Sequence, residues 1–321
     1  MKKVLSTIFI VVVLLILGVA GYVKLFLPKV DAAPDLKFTI TLQRIAHGEY
    51  LANHVTVCID CHSTRNWNKF SGPITKNTLG IGGEYFGKEV GMPGKIYSKN
   101  ITPYHLKDWT DGEIFRTITT GVNKKGEAIF PIMPYLYYGK MDKEDILDII
   151  AYIRSLAPLT SNPAAHELDF PMNFIINSIP HNAHLETKPP KTDVIKYGGY
   201  LVNAAACAEC HTPVKRGQII PELLFSGGRD FMFPYGVTLS ANITPDTKTG
   251  IGSWTETDFI KRFKAYQDTT LLPDLKSTDS NTPMPWIMYA GMDSSDLSAI
   301  YHYLLTLKPI KNKVNHFNIK K

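Results

Sequence analysis

Cys58-Ile59-Asp60-Cys61-His62 and Cys207-Ala208-Glu209-Cys210-His211 are both C-x-x-C-H runs, and together they use all four cysteines of the 321-residue chain. On a helical turn, side chains three and four positions apart share a face. Two thiols at that spacing can reach the two vinyl groups of one porphyrin, and the following imidazole can ligate the iron from below. That is the attachment pattern of a c-type haem. A zinc ribbon brings its C-x-x-C pairs within roughly 15–20 residues of each other, whereas these pairs stand at 58–61 and 207–210. Neither zinc nor disulfide chemistry explains a histidine directly after each pair. The expectation is two covalent haem c groups, one on Cys58, Cys61 and His62, the other on Cys207, Cys210 and His211.

Comparing the chain with itself extends the duplication beyond the cysteines. Tyr50-Leu51-Ala52-Asn53 matches Tyr200-Leu201-Val202-Asn203, and Phe70-Ser71-Gly72 answers to Phe225-Ser226-Gly227. Gly82-Gly83 with Phe86 matches Gly227-Gly228 with Phe231, so the first half carries an insertion between these landmarks. Asn100-Ile101-Thr102-Pro103 recurs as Asn242-Ile243-Thr244-Pro245, Trp109-Thr110 as Trp254-Thr255, and Met133-Pro134 as Met284-Pro285. Landmarks in one order predict two homologous domains, at 38–160 and 191–310.

Each repeat reads as mostly helical. Helices are expected over Leu42–Val57 and Val194–Ala206, leading into the two cysteine runs. Thr110-x-x-Glu113 has the form of a capping box, and Thr255-x-x-Asp258 reads as a second helix start. Asp142 and Asp293 are candidate caps for the last helix of each repeat. Ile146, Ile149, Ile150, Ile153 and Leu156 form one helical stripe there, and Leu297, Ile300, Tyr301, Leu304 and Leu307 form its counterpart. Segments 63–108 and 212–253 are rich in Gly, Pro, Asn and Thr and read as loops wrapped around the cofactor.

A low-spin electron-transfer iron takes a second axial ligand, and methionine sulfur raises its potential. Met133 and Met284 are the candidates, each in a Met-Pro-aromatic loop before the last helix, where proline stiffens the backbone. Met141 and Met292 also align, but at the start of that helix, where methionine is ordinarily core filler. Met288 is a weaker rival. His54, His105 and His302 have no histidine partner in the other repeat and read as structural. The metal set is therefore His62 with Met133 and His211 with Met284, with no catalytic residue.

The N-terminus places this chemistry. Lys2 and Lys3 precede an apolar run from Val4 to Val23, long enough to cross a bilayer. Residues 1–28 read as an uncleaved anchor with the lysines cytoplasmic; the alternative is a signal peptide with Gly18-Val19-Ala20 at its cleavage site. Either version exports the cysteine runs to the periplasmic side of a bacterial inner membrane. Residues 161–190 form a linker whose Phe170, Phe174, Ile175 and Ile176 suggest packing along both domains, and 311–321 is a basic tail. Net charge is +6, but no basic–aromatic pattern points to nucleic acid.

Taken together, the C-x-x-C-H runs, the Asn-Ile-Thr-Pro and Trp-Thr pairs, the Met-Pro loops and Leu168-Asp169-Phe170-Pro171-Met172-Asn173 give a chain that resembles the membrane-anchored multihaem cytochrome c subunits of bacterial alcohol and gluconate dehydrogenases. The resemblance implies tandem class I cytochrome c domains, His/Met ligation, and electron delivery to a quinone pool or terminal oxidase. Those subunits carry three haems where this chain has two runs. The expected function is a dihaem electron carrier between a dehydrogenase or quinol donor and a terminal acceptor. The alternative is a dihaem peroxidase, which needs one open iron position.

Overall fold

The computed structural model describes residues 1–233, 236–276, 279–315 and 317–319. Helix α1 (Lys2–Phe26) lies outside the folded body with no buried residue. It is long and apolar enough to cross a membrane, a test a signal sequence also passes.

The body is built on a helix pairing that occurs twice. In the first half, α2 (Leu42–Tyr50) continues through one π-turn (Leu51–Val55) to α3 (Cys58–Cys61). The short α4 (Pro103–Leu106), α5 (Asp111–Thr120), α6 (Tyr135–Tyr138) and α7 (Lys143–Ser155) follow, and α2 packs along α7. The linker carries α8 (Met172–Ile175). In the second half, α9 (Val194–Ala204) leads to α10 (Cys207–His211), and α11 (Glu256–Lys264), α12 (Trp286–Tyr289) and α13 (Ser294–Leu305) follow. Here α9 packs along α13.

Two glycines let these pairs cross closely. A Cβ at Gly48 would lie 1.8 Å from the Asp148 carbonyl oxygen, and one at Gly198 would lie 1.9 Å from that of Ala299. The stripe on each last helix turns inward: Ile146, Ile149, Ile150, Ile153, Leu297, Ile300 and Leu304 are all buried. Met141 and Met292 are buried among them as core filler. One contiguous apolar cluster contains residues of both halves.

The helix starts follow the side-chain chemistry. Thr110 and Glu113 close a capping box, and Thr255 closes one with the shorter Asp258 as well. Asp142 accepts from the Glu144 N–H, but Asp293 makes no side-chain cap. Its backbone N–H instead donates to the Tyr50 hydroxyl at 3.0 Å.

The loops contain short antiparallel sheets. β1 (Tyr85–Phe86), β2 (Gly94–Tyr97) and β3 (Glu167–Leu168) pair in that order, so the linker is stitched to the first half. β4 (Val214–Lys215) pairs with β5 (Gln218–Ile219), and β6 (Asp230–Phe233) with β7 (Gly236–Leu239). Residues of the basic tail, Phe317–Ile319, add β8 to β7. Further along the linker, Lys188 bonds Asp145 of the first half, while Lys191, at the start of the second half, bonds Asp296 within that half. The hydrogen bonds of the linker thus run to the first half. Phe170 and Ile175 stay exposed, and α8 touches α1.

One sequence landmark is corrected. The His62 carbonyl accepts from Gly82 N–H and the His211 carbonyl from Gly227 N–H, both at 2.8 Å. Ser63 Oγ accepts from Gly80 N–H as Thr212 Oγ1 does from Phe225 N–H. Gly80 thus stands where Phe225 stands, and Phe70-Ser71-Gly72 belongs to the insertion. The short Phe-Ser-Gly match was a coincidence of composition in a loop.

Candidate functional site

Each cysteine run is a single helical turn entered through a left-handed residue, Val57 at φ 47° and Ala206 at φ 48°. That sharp entry swings the turn out of line with the long helix before it. All four thiols are free. Burial pushes the Cys58 and Cys61 thiols up, Cys61 to about 12, so they are held as neutral S–H groups. Cys58, Cys207, Met133 and Met284 are partly buried and packed against the core.

The histidines are oriented by main chain. His62 Nδ1 lies 2.7 Å from the Lys99 carbonyl and His211 Nδ1 lies 2.8 Å from the Ala241 carbonyl. A carbonyl only accepts, so Nδ1 carries the proton, and Nε2 is the unprotonated nitrogen of the neutral ring. Burial lowers the His62 pKa, which favours the neutral form a metal requires.

The Asn-Ile-Thr-Pro repeats explain how those carbonyls are placed. Asn100 directly follows Lys99, and its Oδ1 accepts from the N–H and hydroxyl of Thr102 at 2.8 and 2.7 Å. Its Nδ2 donates to the Leu159 carbonyl, beyond α7. Asn242 follows Ala241 and repeats every bond, with Thr244 at 2.9 and 2.7 Å and Nδ2 on the Ile310 carbonyl. Gly82 and Gly227 press against the same strand of backbone, where a Cβ would come within 2.5 Å of Lys99 C and 2.4 Å of Ala241 C. Lys99 and Ala241 were invisible as functional residues because a main-chain oxygen leaves no side-chain signal. The motif next to them was the available clue.

The acidic residue inside each run is paired. Asp60, buried, meets Arg65 Nη1 at 2.9 Å, and Glu209 meets Arg229 Nη1 at 2.7 Å. Burial, opposed by Arg65, pushes the Asp60 carboxyl up to about 6.

Among the described residues, only His47, Asp145 and Asp148 bring three potential ligand atoms within 4.8 Å of one another. Arg44 already holds Asp148 and Lys188 holds Asp145, so charge there is balanced. Cys58, Cys61 and His62 do not converge on one point, as a tetrahedral zinc site demands. Spread thiols, an Nδ1-protonated imidazole and a buried Tyr135 hydroxyl without a partner among the described residues fit a large planar group with its own polar edge.

Residues 195–308 match the family model for cytochrome c. This part of the chain is a cytochrome c domain. It runs from α9 through α13 and includes Cys207, Cys210, His211 and Met284. The chain is also similar to curated dehydrogenase subunits. The gluconate 2-dehydrogenase cytochrome c subunit of Pantoea cypripedii is 26% identical over 238 residues, covering 69% of this chain and 51% of that protein. The cytochrome c subunit of a quinone alcohol dehydrogenase of Gluconacetobacter polyoxogenes is 28% identical over 289 residues, 83% of this chain and 56% of its own length. The fructose dehydrogenase cytochrome subunit of Gluconobacter japonicus is 28% identical over 233 residues, 68% and 44%. The chain spans about half the length of the curated relatives it matches. The cytochrome c domain implies covalent haem c.

Proposed function

We propose that the chain is a dihaem c-type cytochrome of two tandem class I domains. It carries electrons on the outer face of the bacterial inner membrane, from a dehydrogenase or quinol donor to a terminal acceptor. The single observation that carries this reading is the duplicated histidine geometry: two C-x-x-C-H turns, each with Nδ1 bonded to the carbonyl before an Asn-Ile-Thr-Pro segment, at 2.7 and 2.8 Å. A bound haem c would supply a reversible one-electron iron couple.

Everything else is done by the chain. Cys58, Cys61, Cys207 and Cys210 would hold the groups as thioethers, His62 and His211 would bind through Nε2, and Met133 and Met284 would each supply a sulfur ligand. Paired Arg65 and Arg229 offset the acids inside the runs, which limits the field at each iron. The two runs also share a seam. Burial first, and then Cys207, Cys210, Asp60 and Cys61, push the Tyr289 hydroxyl pKa well up, so this tyrosine neighbours both runs. Its hydroxyl donates to the Ala205 carbonyl, as that of Tyr138 does to Thr56. A rigid seam of neutral donors suits transfer between two sites without proton movement. Helix α1 is the anchor in this reading, and α8, which touches it and carries the exposed Ile175, enlarges the membrane-facing surface.

The test is haem content and carbon monoxide binding on the purified chain. Two haems per chain are expected, falling to one in Cys58→Ala or Cys207→Ala. The reduced spectrum should not change with carbon monoxide, whereas Met133→Ala and Met284→Ala should each open one site. Carbon monoxide binding by the unmodified chain would overturn the carrier reading for that domain.

A further inference from the structure

The insertion of the first half reaches the second half by hydrogen bonds at Pro273 and Leu275 and at the loop that carries Met284. Ser71 Oγ donates to the Met284 carbonyl at 2.7 Å and accepts from Trp286 N–H at 3.2 Å. The Ser71 N–H donates to Asn281 Oδ1 at 2.8 Å, which also receives Thr282 N–H at 2.8 Å. Asn281 Nδ2 returns to the carbonyls of Trp67 and Lys69, both at 3.2 Å. Thr282 Oγ1 then takes the Met284 N–H at 3.1 Å. Ser71 and Asn281 are both buried. The contact is reinforced by Phe70, which stacks on Tyr266 at 5.5 Å, while Tyr266 packs on Trp286 at 5.2 Å.

The Met133 loop is built differently. Its backbone bonds are local, Met133 N–H to Phe130 and Tyr135 N–H to Met133. Among the described residues, no side chain of the second half reaches the Met133 or Pro134 backbone. The clasp is therefore one-sided, and it exists because only the first half has the insertion.

We propose that Ser71 is the positioning residue for Met284: by fixing the peptide carbonyl of Met284 from the other half, it holds the sulfur against the second iron and so sets that site's ligand strength and potential. The inference rests on the reading of Met284 as an iron ligand. The bond to the Met284 carbonyl pins the peptide unit next to the Met284 Cα and the bond from Trp286 N–H pins the one after it, so losing them loosens the backbone that carries the side chain. The first site has no share in this control.

Two substitutions separate positioning from folding. Ser71 has φ 60°, a conformation glycine adopts at no steric cost. Ser71→Gly removes the hydroxyl while easing the backbone, and Ser71→Ala removes it while leaving the strain. Imidazole is titrated into the oxidised full-length chain carrying both haems, and the midpoint potentials of both sites are measured. In both variants, imidazole affinity at the second site is expected to rise roughly three- to tenfold, the weight of one lost hydrogen bond. Its potential should fall, and the first site should keep its wild-type values. Unchanged affinity and potential at the second site in a folded Ser71→Gly chain would overturn the proposal. Met284→Ala separates the two levels of inference. If it leaves imidazole binding unaltered, Met284 is not the ligand and the underlying assignment fails. If it opens the site while Ser71→Gly does not, only the clasp fails.

Discussion

Tyr200→Phe tests how the halves are joined. The Tyr200 hydroxyl crosses from α9 to the first half, donating to Asp145 Oδ2 at 2.5 Å and accepting from Asp142 N–H at 3.2 Å. Tyr50 crosses the other way, donating to Asp296 Oδ2 at 2.7 Å and accepting from Asp293 N–H. Burial and the neighbouring carboxylate keep both phenols well above their ordinary pKa, so each stays a donor. A buried hydrogen bond to a charged acceptor is worth about 1.5–3 kcal/mol. In Tyr200→Phe, Asp145 retains Lys188 Nζ and a long approach from His47 at 3.9 Å, so about 2 kcal/mol should be lost. In Tyr50→Phe, Asp296 keeps Lys191 at 2.9 Å and two 3.3 Å contacts from Tyr197. That replacement partner reduces the expected cost to about 1 kcal/mol. Urea unfolding of the full chain in detergent, followed by far-ultraviolet circular dichroism, measures both. A cost below about 0.5 kcal/mol for Tyr200→Phe, or a larger cost for Tyr50→Phe, would refute the assignment of Asp145 as the more dependent carboxylate.

Three further outcomes are expected. Gly48→Ala and Gly198→Ala drive a methyl into backbone 1.8 and 1.9 Å away; each should cost at least the ~3 kcal/mol upper end of ordinary overpacking and sharply lower the yield of haem-loaded chain. Gly18→Ala in α1 meets nothing within 4 Å and serves as the neutral control in the same expression assay. Burial, with Lys99 nearby, lowers the His166 pKa to about 4 from 6.5. The unfolded chain therefore takes up that proton first as pH falls, so stability should decline from about pH 6.5 and level off below about 4. Because Tyr97 N–H donates to His166 Nδ1, the protection factor of the Tyr97 amide, its exchange corrected for the intrinsic rate at each pH, should fall over the same window, and His166→Asn should flatten the decline.

The parts of this molecule legible in the sequence are those written in side chains at fixed spacing. The C-x-x-C-H turns, the last-helix stripes and the Thr110 capping box were of that kind, and the structure places them as expected. The short strands were not. Two to four residues amid glycine and proline give no period-two pattern, and β3 and β8 pair with segments far away in the chain. Nor could spacing reveal that a backbone carbonyl orients each histidine, although the repeated Asn-Ile-Thr-Pro pointed at the right neighbourhood.

The larger blind spot lies in what a repeat comparison asks. Aligning Tyr50 with Tyr200 marks them as equivalent and invites the view that each serves its own half. In the structure each serves the opposite one, and so do His54, whose Nδ1 bonds the Met288 carbonyl, and Asn203, whose Nδ2 bonds that of Tyr137. Tyr50 and Tyr200, matched in the sequence, each bond a carboxylate of the opposite half, so one sequence pattern supplies both sides of the joint. The longer loop of the first half breaks that equivalence, and among its contacts with the second half is the Met284 loop. If both sites inherited the same ligands and the same orienting carbonyls, such a one-sided contact is how a duplicated pair can acquire two different potentials, and a difference in potential is what gives electron flow between like sites a direction.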